Sequence, residues 1–246
     1  MSTRISRRDM LRTTAVAAGV WTTYGSLNFA QSNSPNEKLN IAAIGVGGRG
    51  GDDVNGCAHE NIVALCDVDE ARAAGTFAAF PRAKRYQDFR RMLEEMDAQI
   101  DAVVIGSPDH THAPAGVMAM KLGKHCYCEK PLTHSVYEAR MMATIAREKN
   151  LVTQMGTQIH EGSNYRRAVE LVQSGAIGTV GEVHVWLGAN FDGPAQPADM
   201  SQPDAPQDQP PVPASLDWDL WLGPAAYRPY HSAYAPFQWR YWWNFA

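Results

Sequence analysis

The sequence predicts an α/β fold: a doubly wound parallel sheet, followed by an incomplete α+β domain with an antiparallel sheet. Three observations carry this expectation. Short apolar runs alternate with helical patterns from residue 39 to residue 155. The first run ends in a G-x-G-x-x-G turn, Gly45, Gly47 and Gly50, which opens a helix. Beyond Gly156 the rhythm breaks, and the alternating segment Val183 to Leu187 reads as an antiparallel strand.

Each element follows from its local pattern. Leu39–Gly45 reads as the first strand. The helix after Gly50 contains Gly51 and Gly56, poor helix formers, and is expected to be short. Asn61–Asp67 is the second strand and Asp69–Phe80 an Ala-rich helix. Lys84–Tyr86 is a short third strand, and Asp88 caps a helix over Phe89–Met96. Ile100–Gly106 is continuously apolar, as a strand covered on both faces should be. A helix over Ala113–Leu122 stops at Gly123. His125–Cys128 is the fifth strand, Ser135–Lys149 a helix, and Leu151–Met155 the sixth strand. A helix over Asn164–Ser174 stops at Gly175. Seven prolines between Gly193 and Pro213 make that stretch a long irregular loop. This βαβ order implies right-handed crossovers of the Rossmann type over residues 39–155.

The glycine turn has a chemical reading. Gly45 permits a tight turn, Gly47 lets a pyrophosphate approach the backbone, and Gly50 brings the helix close to the sheet. The helix N-terminus then offers free N–H groups to phosphate. Asp67 ends the second strand about 20 residues on, where a carboxylate can accept hydrogen bonds from the ribose hydroxyls. It would repel a 2′-phosphate, so the expected cofactor is NAD, with NADP less favoured. The bland alternative is a Gly-rich strand–helix turn that holds no dinucleotide.

The net charge is −4 and the first thirty residues carry +3, which leaves −7 for the rest. A body that acidic gives no electrostatic reason to bind nucleic acid. Residues 1–30 read as a targeting segment and 31–38 as a polar linker. Ser6-Arg7-Arg8-Asp9-Met10-Leu11-Arg12 is similar to the twin-arginine export consensus. The expected location is therefore periplasmic, with the export machinery as a partner. The apolar stretch Ala15–Trp21 is too short to span a membrane. Cys57, Cys66, Cys126 and Cys128 match no zinc spacing, so buried free thiols are expected and no metal site, with a disulfide in an oxidising periplasm as the alternative.

Two further motifs sit at strand ends, and ligands of open α/β sheets bind beyond the carboxyl ends of the strands. The fourth strand runs into Ser107-Pro108-Asp109-His110-Thr111-His112, and the fifth into Glu129-Lys130-Pro131. A lysine partly desolvated beside a nicotinamide ring suits proton transfer. Glu129 could bond the cofactor or orient Lys130. Taken singly, these would read as a helix cap and a surface ion pair.

Together, GVGGRG, CDVD, SPDHTH and EKP resemble the glucose–fructose oxidoreductase / inositol 2-dehydrogenase family, Gfo/Idh/MocA, from Leu39 to about Gly188. The segment GTQIHEGSNYRRAVELVQSGAIGTVGEV resembles the family's link into its second domain, and LDWDLWLGPA and RPYHSAYAPFQWRYWW look like its exported branch. The resemblance implies an NAD-dependent oxidoreductase acting on a carbohydrate, and a homo-oligomer in the full-length form. It makes Lys130 the catalytic lysine. It implies that Gly45, Gly47, Arg49, Gly50, Asp67, Ser107, Pro108, His112 and Glu129 serve the cofactor, with Arg49 at the pyrophosphate. Gln158, His160 and Tyr165 fall at the entrance to the substrate cleft. Family members carry a later D-x-G-x-H segment that this chain does not reach, and His231 matches no such motif.

Residues 156–246 are accordingly expected to be the start of a substrate and oligomerisation domain, truncated at its C-terminus. Eleven aromatic rings between Trp218 and Phe245 support this, because one strand, one helix and a loop offer them little cover. Two alternatives stand beside a dehydrogenase. One is a glycoside hydrolase working through transient oxidation and elimination. The other is a catalytically incomplete NAD-binding fragment.

Overall fold

A computed structural model describes residues 38–158, 160, 162–185, 206 and 208–246. The targeting segment, most of the linker and most of the proline-rich loop lie outside the described residues.

Six parallel strands form one sheet in the order β3-β2-β1-β4-β5-β6. They are β1 (Asn40–Ile44), β2 (Asn61–Cys66), β3 (Lys84–Tyr86), β4 (Ala102–Ile105), β5 (His125–Glu129) and β6 (Thr153–Gly156). The strand order reverses between β1 and β4, where Ile44 pairs with Cys66 on one side and Ile105 on the other. A crevice at such a switch point is where this architecture holds ligands.

The helices cover both faces. They are α1 (Arg49–Gly56), α2 (Glu70–Ala79), α3 (Phe89–Glu95), α4 (Asp109–Lys121) and α5 (Val136–Glu148). Alternation along β1 sorts its side chains. Ala42 and Ile44 join Met92, Leu93, Ala119, Met142 and Ile145 from α3, α4 and α5. Ile41 and Ala43 join Val54, Ala73 and Phe77 from α1 and α2. Local chemistry sets the helix starts. The Asp69 side chain accepts from the N–H groups of Ala71 and Arg72, Asp88 accepts from Arg90, and Ser135 with Glu138 forms a reciprocal capping box.

Three elements differ from expectation. Helix α4 begins at Asp109 rather than Ala113, capped by Pro108, and carries Pro114 inside it. Pro114 has no N–H to return to the helix, so the sequence reads as a start where the chain is already helical. Among the described residues, 183–185 pair with no strand, and Val183 and Val185 are exposed. Residues 186 and 187 lie outside the described residues. The aromatic tail is also better covered than expected.

In that tail Trp218, Trp221, Tyr234, Trp239, Trp242 and Phe245 are all buried in one cluster built around α7 (Trp218–Leu222). They hide because the segment folds back on the Rossmann-type unit. Glu70 N–H donates to Ser215 O at 2.9 Å and Asp217 N–H to Val68 O at 2.9 Å. His110 N–H donates to Phe245 O at 3.2 Å. Tyr227 and Trp243 remain exposed. By contrast α6 (Ser163–Gln173) buries no residue, and Val169, Leu171 and Val172 face solvent.

All four cysteines are free, with Cys66, Cys126 and Cys128 buried. Burial pushes the Cys126 thiol up to about 12, which makes it an inert packing group. No group of metal-ligating side chains occurs among the described residues. No helix among them is long and apolar enough to cross a membrane.

Candidate functional site

The site is built at the carboxyl edge of β1, β2, β4 and β5. Gly45 turns at φ +73°, and a Cβ there would stand 2.5 Å from the Ser107 backbone. A Cβ on Gly50 would stand 1.8 Å from Gly45 O, so no side chain fits where α1 meets the turn. Gly47 N–H donates to Asp67 Oδ2 at 2.9 Å, and Asp69 N–H to Asp67 Oδ1 at 2.9 Å. Burial raises the Asp67 carboxyl above its ordinary value, and these backbone donors oppose it. The close glycine backbone, the start of α1 and an acid at the end of β2 therefore meet in one place. They fit a dinucleotide: backbone N–H groups for the pyrophosphate, a carboxylate for the ribose.

On the other side of the switch point stands Glu129. Gln158 Nε2 donates to both of its carboxylate oxygens, to Oε2 at 2.6 Å. Arg49 Nε reaches Oε1 at 3.4 Å, and Lys130 N–H donates to Oε2 at 3.3 Å. Lys130 itself is exposed at the end of β5, joined to Pro131 by a cis peptide bond. Its charge acts on the half-buried Asp109 at the start of α4.

Four of the expected residues make contacts within the protein. Arg49 is held by carboxylates. Its Nη2 pairs with Asp53 Oδ1 at 3.1 Å and its Nε with Glu129, because two buried acids draw the guanidinium between them. His112 is 1% exposed, with Nε2 against Ser107 O at 2.7 Å and Nδ1 against Pro131 O at 2.8 Å. Each ring nitrogen faces a carbonyl oxygen, and the nitrogen that carries the proton donates, so the buried ring sits between the turn after β4 and the turn after β5. His160 and Tyr165 stack on each other with ring centroids 4.5 Å apart, both exposed. No hydrogen bond among the described residues joins either to Glu129 or Lys130. Of the three cleft residues, the structure brings only Gln158 into the site.

Ser107 and Pro108 keep their place at the edge. Ser107 Oγ accepts from Thr111 Oγ1 at 2.8 Å, and Pro108 O accepts from the Thr111 N–H at 2.9 Å.

Three charged residues at the site were missed. A Cβ on Gly47 would stand 2.7 Å from Arg72 Cγ, and one on Gly48 2.8 Å from its Nη2, so Arg72 lies across the glycine turn. Its signal was present: it sits on the first turn of α2, five residues after Asp67. Asp53 was legible as the i+4 partner of Arg49 on one helix. Arg240 stacks on Trp239, its guanidinium carbon 4.1 Å from the ring centre, and its charge acts on Asp109 and Arg72. No local pattern could have found it, because only the folded-back tail brings it there.

Two models of one oxidoreductase family match the chain. The "NAD-binding Rossmann fold" of that family matches residues 39–157, and its "C-terminal alpha/beta domain" matches residues 162–246. The chain is 31% identical over 151 residues to inositol 2-dehydrogenase 2 of Saccharopolyspora erythraea, covering 59% of this chain and 44% of that protein. It is 31% identical over 116 residues to levoglucosan dehydrogenase of Pseudarthrobacter phenanthrenivorans, covering 47% of this chain and 29% of that one. It thus spans less than half the length of these relatives. Among solved structures, scyllo-inositol dehydrogenase from Lactobacillus casei with bound NAD(H) and scyllo-inositol superposes with a TM-score of 0.53 at 27% identity. That match covers 58% of this chain and 43% of the other.

Proposed function

The chain belongs to the Gfo/Idh/MocA oxidoreductase family, and from that premise we propose that it serves as an NAD-dependent dehydrogenase of a sugar, cyclitol or glycoside. The observation that carries this reading is the meeting at one sheet edge of the glycine turn, Asp67 and the Glu129-Lys130 end of β5. The inositol and levoglucosan dehydrogenases among its relatives support a polyhydroxylated ring as substrate.

When bound, NAD supplies the acceptor for a hydride and its electron pair. The chain's own residues do the rest. The backbone N–H groups at the start of α1 bind the pyrophosphate, and Asp67 accepts from the ribose hydroxyls. Glu129, held by Gln158 and Arg49, keeps the β5 end in place. Lys130, in its neutral amine form, takes the proton of the substrate hydroxyl at Nζ as the carbon gives up its hydride and becomes a carbonyl.

The test is incubation of the full-length gene product with NAD and a panel of cyclitols, anhydrosugars and glycosides, following nicotinamide absorbance. Net accumulation of reduced cofactor with at least one ring substrate is expected. Lys130→Met should lower turnover about 100-fold or more while NAD affinity stays within about 2-fold. Unimpaired turnover would remove Lys130 from this role. Release of an aglycone with no net reduction would replace the dehydrogenase with the elimination-type hydrolase.

A further inference from the structure

We propose that a cavity enclosed by Asp208 and the aromatic tail binds a sugar acid, a small ring carrying both hydroxyl groups and a carboxylate, with Arg228 as the partner of the carboxylate. The inference stands apart from the dinucleotide reading, because neither the glycine turn nor Asp67 nor Lys130 lines this cavity.

The cavity has a volume of about 340 Å³. That lies at the lower end of the roughly 300–1,000 Å³ found for small-molecule sites. Two buried rings, Tyr234 and Trp242, line it, and they meet edge to face with centroids 4.7 Å apart. Such rings offer an apolar surface to the C–H face of a sugar.

Arg228 lines the same cavity and is half-buried. Trp218 Nε1 donates to its carbonyl oxygen at 2.8 Å, which fixes its backbone. Its guanidinium carbon stands 5.1 Å from the Tyr234 ring centre and 5.0 Å from that of Phe245. Those two rings are inclined at 72°, so the head is held against both. What it lacks is an acceptor. A guanidinium carries five N–H groups in one plane, and ring faces attract its charge without accepting those groups. Among the described residues none of the five finds an acceptor and no carboxylate pairs with the charge. Nε is also shut off from solvent. By contrast Arg49 and Arg90 pair with carboxylates, while Arg85 and Arg240 donate to carbonyl oxygens. A buried donor left unmet is costly, and a planar, pre-oriented fork is matched best by the two oxygens of a carboxylate.

The hydroxyl half of the ligand is recognised by other groups. Ala233 N–H donates to His231 Nδ1 at 3.0 Å. The ring proton therefore sits on Nε2, 3.3 Å from Asp208 Oδ1. The Asp208 side chain is 77% exposed, so water and salt screen its repulsion of an anion. It remains an acceptor for hydroxyl groups, and Asn244 on the cavity wall adds a donor and an acceptor. The cavity thus offers a fixed, unpaired cation together with an acceptor. Phosphate would satisfy the first and be opposed by the second. A neutral sugar would satisfy the second and leave Arg228 unmet. A ring that bears both groups uses both.

The experiment titrates the full chain by calorimetry with D-glucuronate, D-glucose and inorganic phosphate at about pH 7. Glucuronate should bind about 10-fold or more tightly than either control. Arg228→Gln, checked for a retained cooperative melt, should lose about 10-fold or more of that affinity. Arg228→Lys keeps the charge against the rings and loses the fork, and about 3-fold weaker binding is expected. It decides the matter should Arg228→Gln fail to fold. Glucuronate binding no tighter than phosphate, no glucuronate binding up to about 10 mM, or unchanged affinity in Arg228→Lys would each overturn the inference. NAD affinity, measured on the same samples, reports on the dinucleotide edge separately, so either reading can fail without the other.

Discussion

His110 shows how one residue couples the tail to the sheet. It is 3% exposed, with Nε2 against Trp221 O at 3.0 Å and its ring between Trp221 and Phe245. Its Nδ1 has no partner among the described residues. Burial holds the ring neutral and pulls it down to about 4. Between that value and the ordinary 6.5 the unfolded chain binds the extra proton and the folded one does not. Stability therefore rises with pH through this window, is complete above about 6.5, and is lost as pH falls toward 4. The loss on full protonation is about 3 kcal/mol. His110→Gln should flatten the dependence of urea midpoint on pH between these limits, whatever it does to absolute stability. An unchanged slope would show that other groups carry it.

At the scale of elements, the meeting of α1 with the glycine turn tolerates no atom. The Cβ of Gly50→Ala would lie 1.8 Å from Gly45 O and 2.9 Å from its carbon, against backbone that cannot swing aside. Displacing the turn should cost at least the roughly 1–3 kcal/mol of core overpacking and weaken NAD binding about 10-fold or more. Melting temperature and NAD affinity check this together, and no change in either would contradict the close approach. Much of this level was legible in the sequence. Glycine spacing, Asp69, Asp88 and Ser135 as caps, and the apolar strands all act within a few residues of themselves. Helix α4 was harder, since Pro114 marks a start by local rules and tertiary contacts at His110 and His112 extend the helix past it.

Among the described residues, the C-terminal segment returns to the sheet's carboxyl edge and packs there as a third buried cluster. Phe245 is 0% exposed, with its centroid 4.8 Å from that of Trp221 and 5.1 Å from that of His110, and the Arg228 guanidinium 5.0 Å away. Phe245→Ala removes the ring at the meeting of tail and α4. A loss of about 3–5 kcal/mol is expected by chemical denaturation. A loss under about 1 kcal/mol would mean that the tail does not share the cooperative unit of the sheet. The same segment brings Arg240 toward Asp109 and Arg72.

Local rules thus determined the parallel strands, the glycine turn, and the placing of Asp67 and Glu129-Lys130 at strand ends, because each is written in spacings of a few residues. They also pointed to Arg49, His112 and Gln158 as residues of interest, without saying what each touches. Only the tertiary structure decided that Arg49 serves two carboxylates, that His112 sits between two turns, and that a tail rich in aromatic rings is buried against α4. These outcomes depend on contacts between segments far apart in the chain. A side chain's partner there is set by what the packed elements leave within reach, and no local period encodes it.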